Sequence, residues 1–390
     1  MGKKLRVLIV PSWYPTKEKP NAGIFFKEQA LALQEKGIEI IIAYPEIHSL
    51  KEWAKYKSQR GFYHKIEDGL DTYRIKEFNF LPKIPVGSGI VYYFKLKKIF
   101  TKLVKEGNKP DIIHAHSVLW GGWASSKISK QWNVPLIITE HSTAFLRGLI
   151  KKYQIPLIKE AFDQAKKIIV VGPGLQKELK KYTEGQKIEL IPNIVDTSRF
   201  KQNAFIEKPN KFRFFSLAFL TYKKGFDILL KAFAKAFKGN EEVELVIGGD
   251  GEERVNLENL AIDLGIEKQV IFLGELSREQ AVTEMQRCDA FVLASRFETF
   301  GVVFIEALAC GKPIVATKCG GPEIIVNEKN GLLVEVEDIE ALSKALINMK
   351  LTYNQYKAEE IAFDCYERFG KSKVTEKIIE QYHKIIESVK

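Results

Sequence analysis

Short apolar runs rich in β-branched residues recur along this chain, each followed by a helix-length amphipathic stretch, and the runs fall into two series. The first series is Arg6–Pro11, Ile38–Ala43, Ile112–Ala115, Leu136–Thr139 and Ile168–Val171; the second is Phe212–Leu217, Val243–Ile247, Val270–Leu273, Ala290–Leu293 and Pro313–Ala316. Strands that are apolar along their whole length have both faces covered, and strands alternating with helices make parallel sheets. At 390 residues the chain exceeds what one core usually organises, so two doubly wound, Rossmann-like α/β domains are predicted. The rhythm pauses over 197–210, where Pro209 interrupts any helix. The expected domains are therefore 1–205 and 206–370, with a helix over about 371–390 packing back on the first. A ligand is expected where the carboxyl ends of the two sheets face one another across a cleft.

Composition narrows the partners. Residues 1–200 hold 34 Lys and Arg against 19 Asp and Glu, a surplus of 15, whereas residues 201–390 hold 26 against 30, a deficit of 4. A basic half suits nucleic acid, an anionic membrane or phosphorylated ligands, and no nucleic-acid module signature is present. The segment Ile90–Lys105 places Tyr92, Leu96, Ile99 and Leu103 on one face and Lys95, Lys98, Lys102 and Lys105 beside it. That pattern fits an interfacial helix on a membrane, and equally a helix packed on a sheet with a solvated lysine face. No run approaches the roughly 18 apolar residues of a spanning helix, and Val7–Val10, ended by Pro11, reads as a first strand rather than a signal core. Cys288, Cys310, Cys319 and Cys365 form no CxxC pair and have no partnering histidine cluster, which points to isolated thiols in a reducing cytoplasm. The expected location is cytoplasmic, or peripheral on the inner face of the cell membrane.

The densest chemical signal is Ser295-Arg-Phe-Glu-Thr-Phe-Gly-Val-Val-Phe-Ile-Glu-Ala-Leu-Ala-Cys-Gly-Lys-Pro313. A strand ending near Ala294 leads into a loop with Glu298 and Gly301, then into a buried helix through Ala309 that stops at Gly311 and Pro313. Glycine permits close backbone approach, and the free N–H groups of a helix start favour a diphosphate. Glu298 and Glu306, eight positions apart, could then both face one ligand, and carboxylates accept hydrogen bonds from sugar and ribose hydroxyls.

This run resembles the E-x7-E element of family 4 of the retaining GT-B glycosyltransferases. Thr317–Val334 is similar to the family's Gly-Gly-x-x-Glu stretch, Ile191–Asp196 with Phe200 to its interdomain signature, and Gly248-Gly-Asp-Gly251 to its donor-domain loop. Pro11-Ser-Trp-Tyr-Pro15, Gly23-Ile-Phe and Thr139-Glu-His141 resemble members that act in surface polysaccharide assembly. The resemblance implies GT-B architecture, a nucleotide diphosphate sugar as donor and a lipid-linked or saccharide acceptor. It also implies that Glu298 holds the donor sugar, that Glu306 binds the ribose, and that backbone N–H groups around Phe300, Gly301 and Val302 lie near the diphosphate. Lys224 in Tyr222-Lys-Lys-Gly-Phe-Asp227 resembles the lysine that neutralises the leaving diphosphate, where growing negative charge needs a fixed cation. Gly249 is expected to admit the donor closely, Gly23 to allow close backbone approach of donor phosphate or acceptor, and His141 to reach the transferred sugar. No cofactor and no metal are implied: His114 and His116 share a strand face but have no third ligand.

One position departs from the family. An Arg usually stands about five residues before the lysine, and this chain has Phe219 there, which removes a bidentate phosphate clamp. Two rival readings follow: a catalytically silent, glycosyltransferase-like binding protein, and a nucleotide-sugar 2-epimerase on the same architecture. Val170-Val-Gly-Pro-Gly174 fails as a dinucleotide fingerprint, because it lacks the third glycine and carries Pro173 inside the turn, and reads as a tight turn.

Overall fold

A computed structural model describes residues 4–203, 205–207 and 209–389. The chain forms two compact units, each with its own sheet. The first unit takes the chain up to Val171, then Leu175–Pro192, then the chain from Val374 on; the second takes Gly172–Gly174 and Asn193–Lys373.

The N-terminal unit is built on eight strands: β1 (Arg6–Pro11), β2 (Glu39–His48), β3 (Gly61–Glu67), β4 (Leu70–Phe78), β5 (Ile112–His116), β6 (Leu136–Glu140), β7 (Lys167–Val170) and β8 (Ile188–Leu190). They lie in the order β3-β4-β2-β1-β5-β6-β7-β8, parallel throughout except for β3 against β4. Leu8 sits beside Ile41 on one side and Ile113 on the other, so the centre of the sheet is apolar on both faces. The helix Gly87–Lys105 buries Tyr92, Leu96, Ile99, Phe100 and Leu103. Its apolar face is thus consumed inside the unit, and of the two expected readings of this segment the packed helix is the one observed.

The β3–β4 hairpin was absent from the predicted rhythm. Its first strand is largely exposed, and His64 and Lys65 separate Phe62 and Tyr63 from Ile66, so it carries no continuous apolar run to detect. A short signal did exist: Asp68 and Gly69 both have positive φ, 49° and 88°, as a two-residue Asp-Gly hairpin turn requires.

The C-terminal unit has six parallel strands, β9 (Phe212–Leu217), β10 (Val243–Gly248), β11 (Val270–Gly274), β12 (Ala290–Leu293), β13 (Ile314–Thr317) and β14 (Gly331–Val334), in the order β11-β10-β9-β12-β13-β14. Central β9 brings Phe214 and Phe215 into the core, with Phe215 in register with Phe291 of β12. The helix Phe226–Phe237 covers one face through Leu229, Leu230, Phe233 and Phe237. Truncating Phe233 to Ala would cost about 3–5 kcal/mol, because that site is fully enclosed.

The change of unit falls at Pro192, ahead of the expected 1–205 boundary. Packing explains the shift. The Val195 N–H donates to the Phe369 carbonyl at 2.9 Å, the Lys201 carbonyl accepts from Gln286 Nε2 at 2.8 Å, and Phe200 is fully buried beneath the Arg278 guanidinium. Apolar rhythm finds strands, and this segment is anchored without one. The last helix, Lys371–Val389, joins the N-terminal unit from Val374 on, where Tyr382 donates to or accepts from His114 Nδ1 at 2.7 Å. Pro173 opens a helix, Pro173–Leu179, rather than sitting inside a turn.

Candidate active site

In the C-terminal unit the strand order runs outward in two directions from the neighbours β9 and β12. Chain leaving these two carboxyl ends diverges, and the crevice opened there is where doubly wound sheets hold ligands. Lys224 follows β9 and Glu298 follows β12, and the fold brings them together: Lys224 Nζ donates to Glu298 Oε1, and Ser295 Oγ donates to the same oxygen at 3.1 Å. Both side chains are largely enclosed, with 15% and 8% of their surface exposed.

The closeness of the two loops is a product of Gly225 and Arg296. Gly225 has φ 64°, and a Cβ there would stand 1.9 Å from the Ala294 carbonyl oxygen, so only glycine lets the loops touch. Arg296 then staples them. Its backbone N–H donates to the Lys223 carbonyl at 2.8 Å, and Nη1 donates to the Tyr222 carbonyl at 2.7 Å. Its guanidinium forks onto Asp227 at 2.8 and 2.9 Å, its Nε donates to Glu337 at 2.8 Å, and the group lies over the Tyr222 ring at 4.0 Å. Hydrogen bonding to Asp227 holds the Arg296 pKa above its ordinary value. Burial alone would raise the Asp227 carboxyl, but the Arg296 hydrogen bonds and charge outweigh it and hold Asp227 below the usual range.

Beyond Glu298 the chain enters the helix Val302–Ala309 through Gly301, which has φ 94° and whose added Cβ would meet the Phe304 ring at 2.5 Å. The first amides of that helix, beginning with Val302, have no intrahelical acceptor and face the same end of the sheet. The Phe300 backbone is roofed by Gly321, where a Cβ would fall 2.5 Å from the Phe300 nitrogen, so glycine at 321 lets the two loops touch at Phe300. Glu306 lies inside the helix, 2% exposed, and is engaged by Arg278 Nη1 at 2.5 Å. Gly249 stands at the end of β10 with its N–H committed to the Gly274 carbonyl at 2.7 Å. A Cβ there would stand 1.9 Å from the Ala218 carbonyl oxygen, so glycine lets the loop after β9 close onto the end of β10. Phe219 is 57% exposed on the loop after β9.

Gly23 and His141 belong to the N-terminal unit, at the carboxyl ends of its sheet. Gly23 begins the helix Ile24–Glu35 in the left-handed conformation. His141 is buried, with its ring against Phe25 and Phe26 and its Nε2 3.2 Å from His116 Nδ1. Burial drives the His141 and His114 pKa values down to about 3, and that of His116 well below its usual value. Among the described residues no group of three or more His, Cys, Asp and Glu is arranged to hold a metal ion.

Ser295, Arg296, Asp227 and Arg278 were not singled out from the sequence as site residues. Three of them stand inside the quoted motif runs, and Arg296 is separated from Glu298 by one residue. Nothing in the order of residues tells that Arg296 folds back onto Asp227, because that pairing exists only once β9 and β12 are adjacent.

The family model described as Glycosyltransferase Family 4 matches residues 22–199, and that described as Glycosyl transferases group 1 matches residues 197–360. The chain belongs to glycosyltransferase family 4. It is a glycosyltransferase with the two Rossmann-like domains of the GT-B fold. TuaC of Bacillus subtilis, named for teichuronic acid biosynthesis, is 25% identical over 93% of this chain and 93% of its own length. LpsE of Rhizobium meliloti, named a lipopolysaccharide core biosynthesis glycosyltransferase, is 27% identical over 84% of each. Among solved structures, sucrose-phosphate synthase from Thermosynechococcus elongatus superposes with a TM-score of 0.79 at 18% identity, covering 99% of this chain and 100% of that one. Anabaena HepE, in complex with UDP and glucose, does so with a TM-score of 0.74 at 19% identity, covering 97% and 100%.

Proposed function

We propose that this glycosyltransferase moves a sugar from a nucleotide diphosphate donor to an acceptor hydroxyl with retention of anomeric configuration and without a metal ion, in the assembly of a cell-surface polysaccharide or glycolipid. The observation that carries the reading is the contact between Lys224 and Glu298 at the switch point of the C-terminal sheet, beside an open helix start. HepE, of the same fold, holds UDP and glucose, so a sugar nucleotide suits this architecture.

In this reading Glu298 accepts hydrogen bonds from the donor sugar, and Glu306 exchanges Arg278 for the ribose hydroxyls. The amides of Gly301 and Val302 lie against the diphosphate, with Phe300 positioning them. The acceptor oxygen attacks the anomeric carbon on the face from which the diphosphate departs. The glycosidic C–O bond breaks, its electron pair leaves with the phosphate, and a phosphate oxygen takes the acceptor's proton. Lys224 turns from Glu298 to the departing phosphate and stabilises the charge that develops there. His141 and Gly23 act from the N-terminal unit, which receives the acceptor; His141, held neutral by burial, can meet a sugar hydroxyl. The names of TuaC and LpsE, for teichuronic acid and lipopolysaccharide core biosynthesis, favour a polysaccharide or lipopolysaccharide acceptor; in this reading it is lipid-linked and met at the inner membrane surface from the cytoplasm.

The test is a thermal-shift screen of nucleotide diphosphate sugars, followed by NMR of the anomeric proton during transfer to lipid-linked acceptors with and without chelator. Inversion, or activity that chelator abolishes, contradicts the mechanism. Phe219 favours a second reading, a silent binding protein, since an exposed phenyl ring offers no phosphate clamp. A donor that binds but is neither transferred nor hydrolysed would select it.

A further inference from the structure

At the carboxyl end of the N-terminal sheet, the segments following β2 and β4 hold four large apolar side chains out toward water. Leu50, Trp53, Phe80 and Ile84 are 37%, 41%, 47% and 44% exposed. Trp53 and Phe80 adjoin one another, the Trp53 ring centroid lying 4.6 Å from that of Phe78 and 6.3 Å from that of Phe80, and Leu50 and Ile84 stand close to them along the same two segments. Single exposed apolar residues are ordinary, whereas a group of them on adjoining loops marks a surface meant to be covered.

The loop from Asn79 to Gly87 is braced in this outward shape. Asn79 Oδ1 accepts from the Leu81 N–H at 2.9 Å, Asn79 Nδ2 donates to Ser88 Oγ at 2.9 Å, and the Gly87 N–H donates to the Ile84 carbonyl at 2.8 Å. A Cβ at Gly87 would lie 2.1 Å from the Leu81 carbonyl oxygen, so the tight closure needs glycine. Pro82 and Pro85 flank Lys83 and Ile84 and stiffen the tip.

Charge selects what covers the patch. Residues 49–60 and 79–86 contain Lys51, Lys55, Lys57 and Lys83 against one carboxylate, Glu52, and a further cation, Arg60, is paired with Glu77. Aromatic and aliphatic tips on segments that also carry lysines complement a surface that is anionic outside and apolar just beneath, as a bilayer with acidic headgroups is. The helix Gly87–Lys105 cannot supply the apolar part, because that face is packed in the unit; it offers only Phe94 and lysines such as Lys98 and Lys105.

From this juxtaposition we infer that the loops after β2 and β4 form a docking surface for an anionic lipid bilayer, with Trp53, Phe80 and Ile84 entering the headgroup region. The patch lies at the same end of the sheet as Gly23 and His141, so docking presents a membrane-borne acceptor to the unit that receives it. This rests on the proposal that the acceptor is lipid-linked and met at the membrane.

The experiment is sedimentation of the full chain with vesicles of phosphatidylglycerol and phosphatidylcholine, and of phosphatidylcholine alone, at low and high salt. The wild-type chain should bind the anionic vesicles, less so at high salt. Phe80→Ser with Ile84→Ser should weaken binding about tenfold or more, while Lys98→Glu with Lys105→Glu should weaken it far less. Unchanged melting curves show that the variants fold. If the loop variant binds like the wild type and the helix variant fails, the docking surface is misassigned while membrane association stands. If the wild-type chain ignores anionic vesicles, both fall; in that case a concentration-dependent dimer abolished by the loop variant would make the patch a protein interface.

Discussion

Lys224 and Glu298 satisfy each other, and this sets what substitution at either does. Glu298→Gln keeps the shape and a hydrogen-bond acceptor but removes the charge that meets sugar hydroxyls. Its expected effect is a fall in kcat of about 10²–10³-fold, with an unchanged circular dichroism spectrum, measured with the donor found by thermal shift. Lys224→Ala should cost at least as much in kcat, since the cation acts on charge that appears only in the transition state. It also strands a largely enclosed carboxylate, for a loss of about 1–3 kcal/mol in stability. A Lys224→Ala enzyme with wild-type turnover would place the leaving group elsewhere. Arg278→Ala behaves differently: it frees Glu306 in the resting protein, so donor KM should move more than kcat. Equal falls in kcat and kcat/KM would show that Arg278 acts in the transition state instead.

Two loops depend on one guanidinium, and that dependence is a property of elements rather than of single side chains. Arg296→Lys retains the charge but cannot reproduce the fork onto Asp227 together with the bond to the Tyr222 carbonyl. The turn carrying Lys224 should then drift from the loop carrying Glu298, lowering kcat about 10-fold or more while donor binding changes little. Asp227→Asn should reproduce a milder form of that defect, and the double variant should be non-additive if the pair acts as a unit. Additive effects would assign Arg296 to stability alone. At this scale the sequence told much. Apolar runs located the central strands, and Ser295–Pro313 announced its loop and helix. What stayed hidden was polar or non-local: the exposed strand Gly61–Glu67 lacks an apolar run, and Arg296 meets Asp227 only through the pairing of β9 with β12. The anchoring of Val195 to Phe369 is likewise a contact between distant stretches of chain, and it moved the change of unit to Pro192.

For the molecule as a whole, the N-terminal unit contains a buried histidine cluster that the last helix helps to close, and this makes stability depend on pH in a calculable direction. His114 sits between Thr139 Oγ1 at 2.6 Å and Tyr382 OH at 2.7 Å, with the His116 ring 4.5 Å away and His141 beyond it. Burial holds His114 and His141 near 3 and His116 well below its ordinary value, whereas in the unfolded chain all three titrate near 6.5. The unfolded state therefore binds protons first as pH drops. Stability is complete above about pH 6.5 and declines as pH falls toward 3, by on the order of 1–2 kcal/mol each for His114 and His141 at pH 5, with His116 acting in the same direction. Glu140, on the strand that leads to His141, works against this: burial raises its pKa, despite N–H donors from Val118, His141 and Ser142, so its protonation in the folded state adds stability at acid pH. Glu77, which burial would raise but which hydrogen bonds from Arg60 and Lys95 pull down to about 2, loses its contribution only below its unfolded value near 4.5. Between pH 5 and 6.5 Glu77 keeps its full contribution, and the three buried histidines outnumber the one opposing carboxyl of Glu140, so the melting temperature should fall across that window. His114→Gln should flatten that slope, because the amide can bond Thr139 and Tyr382 without titrating. An unchanged slope in that variant would mean that the pH dependence arises outside the cluster.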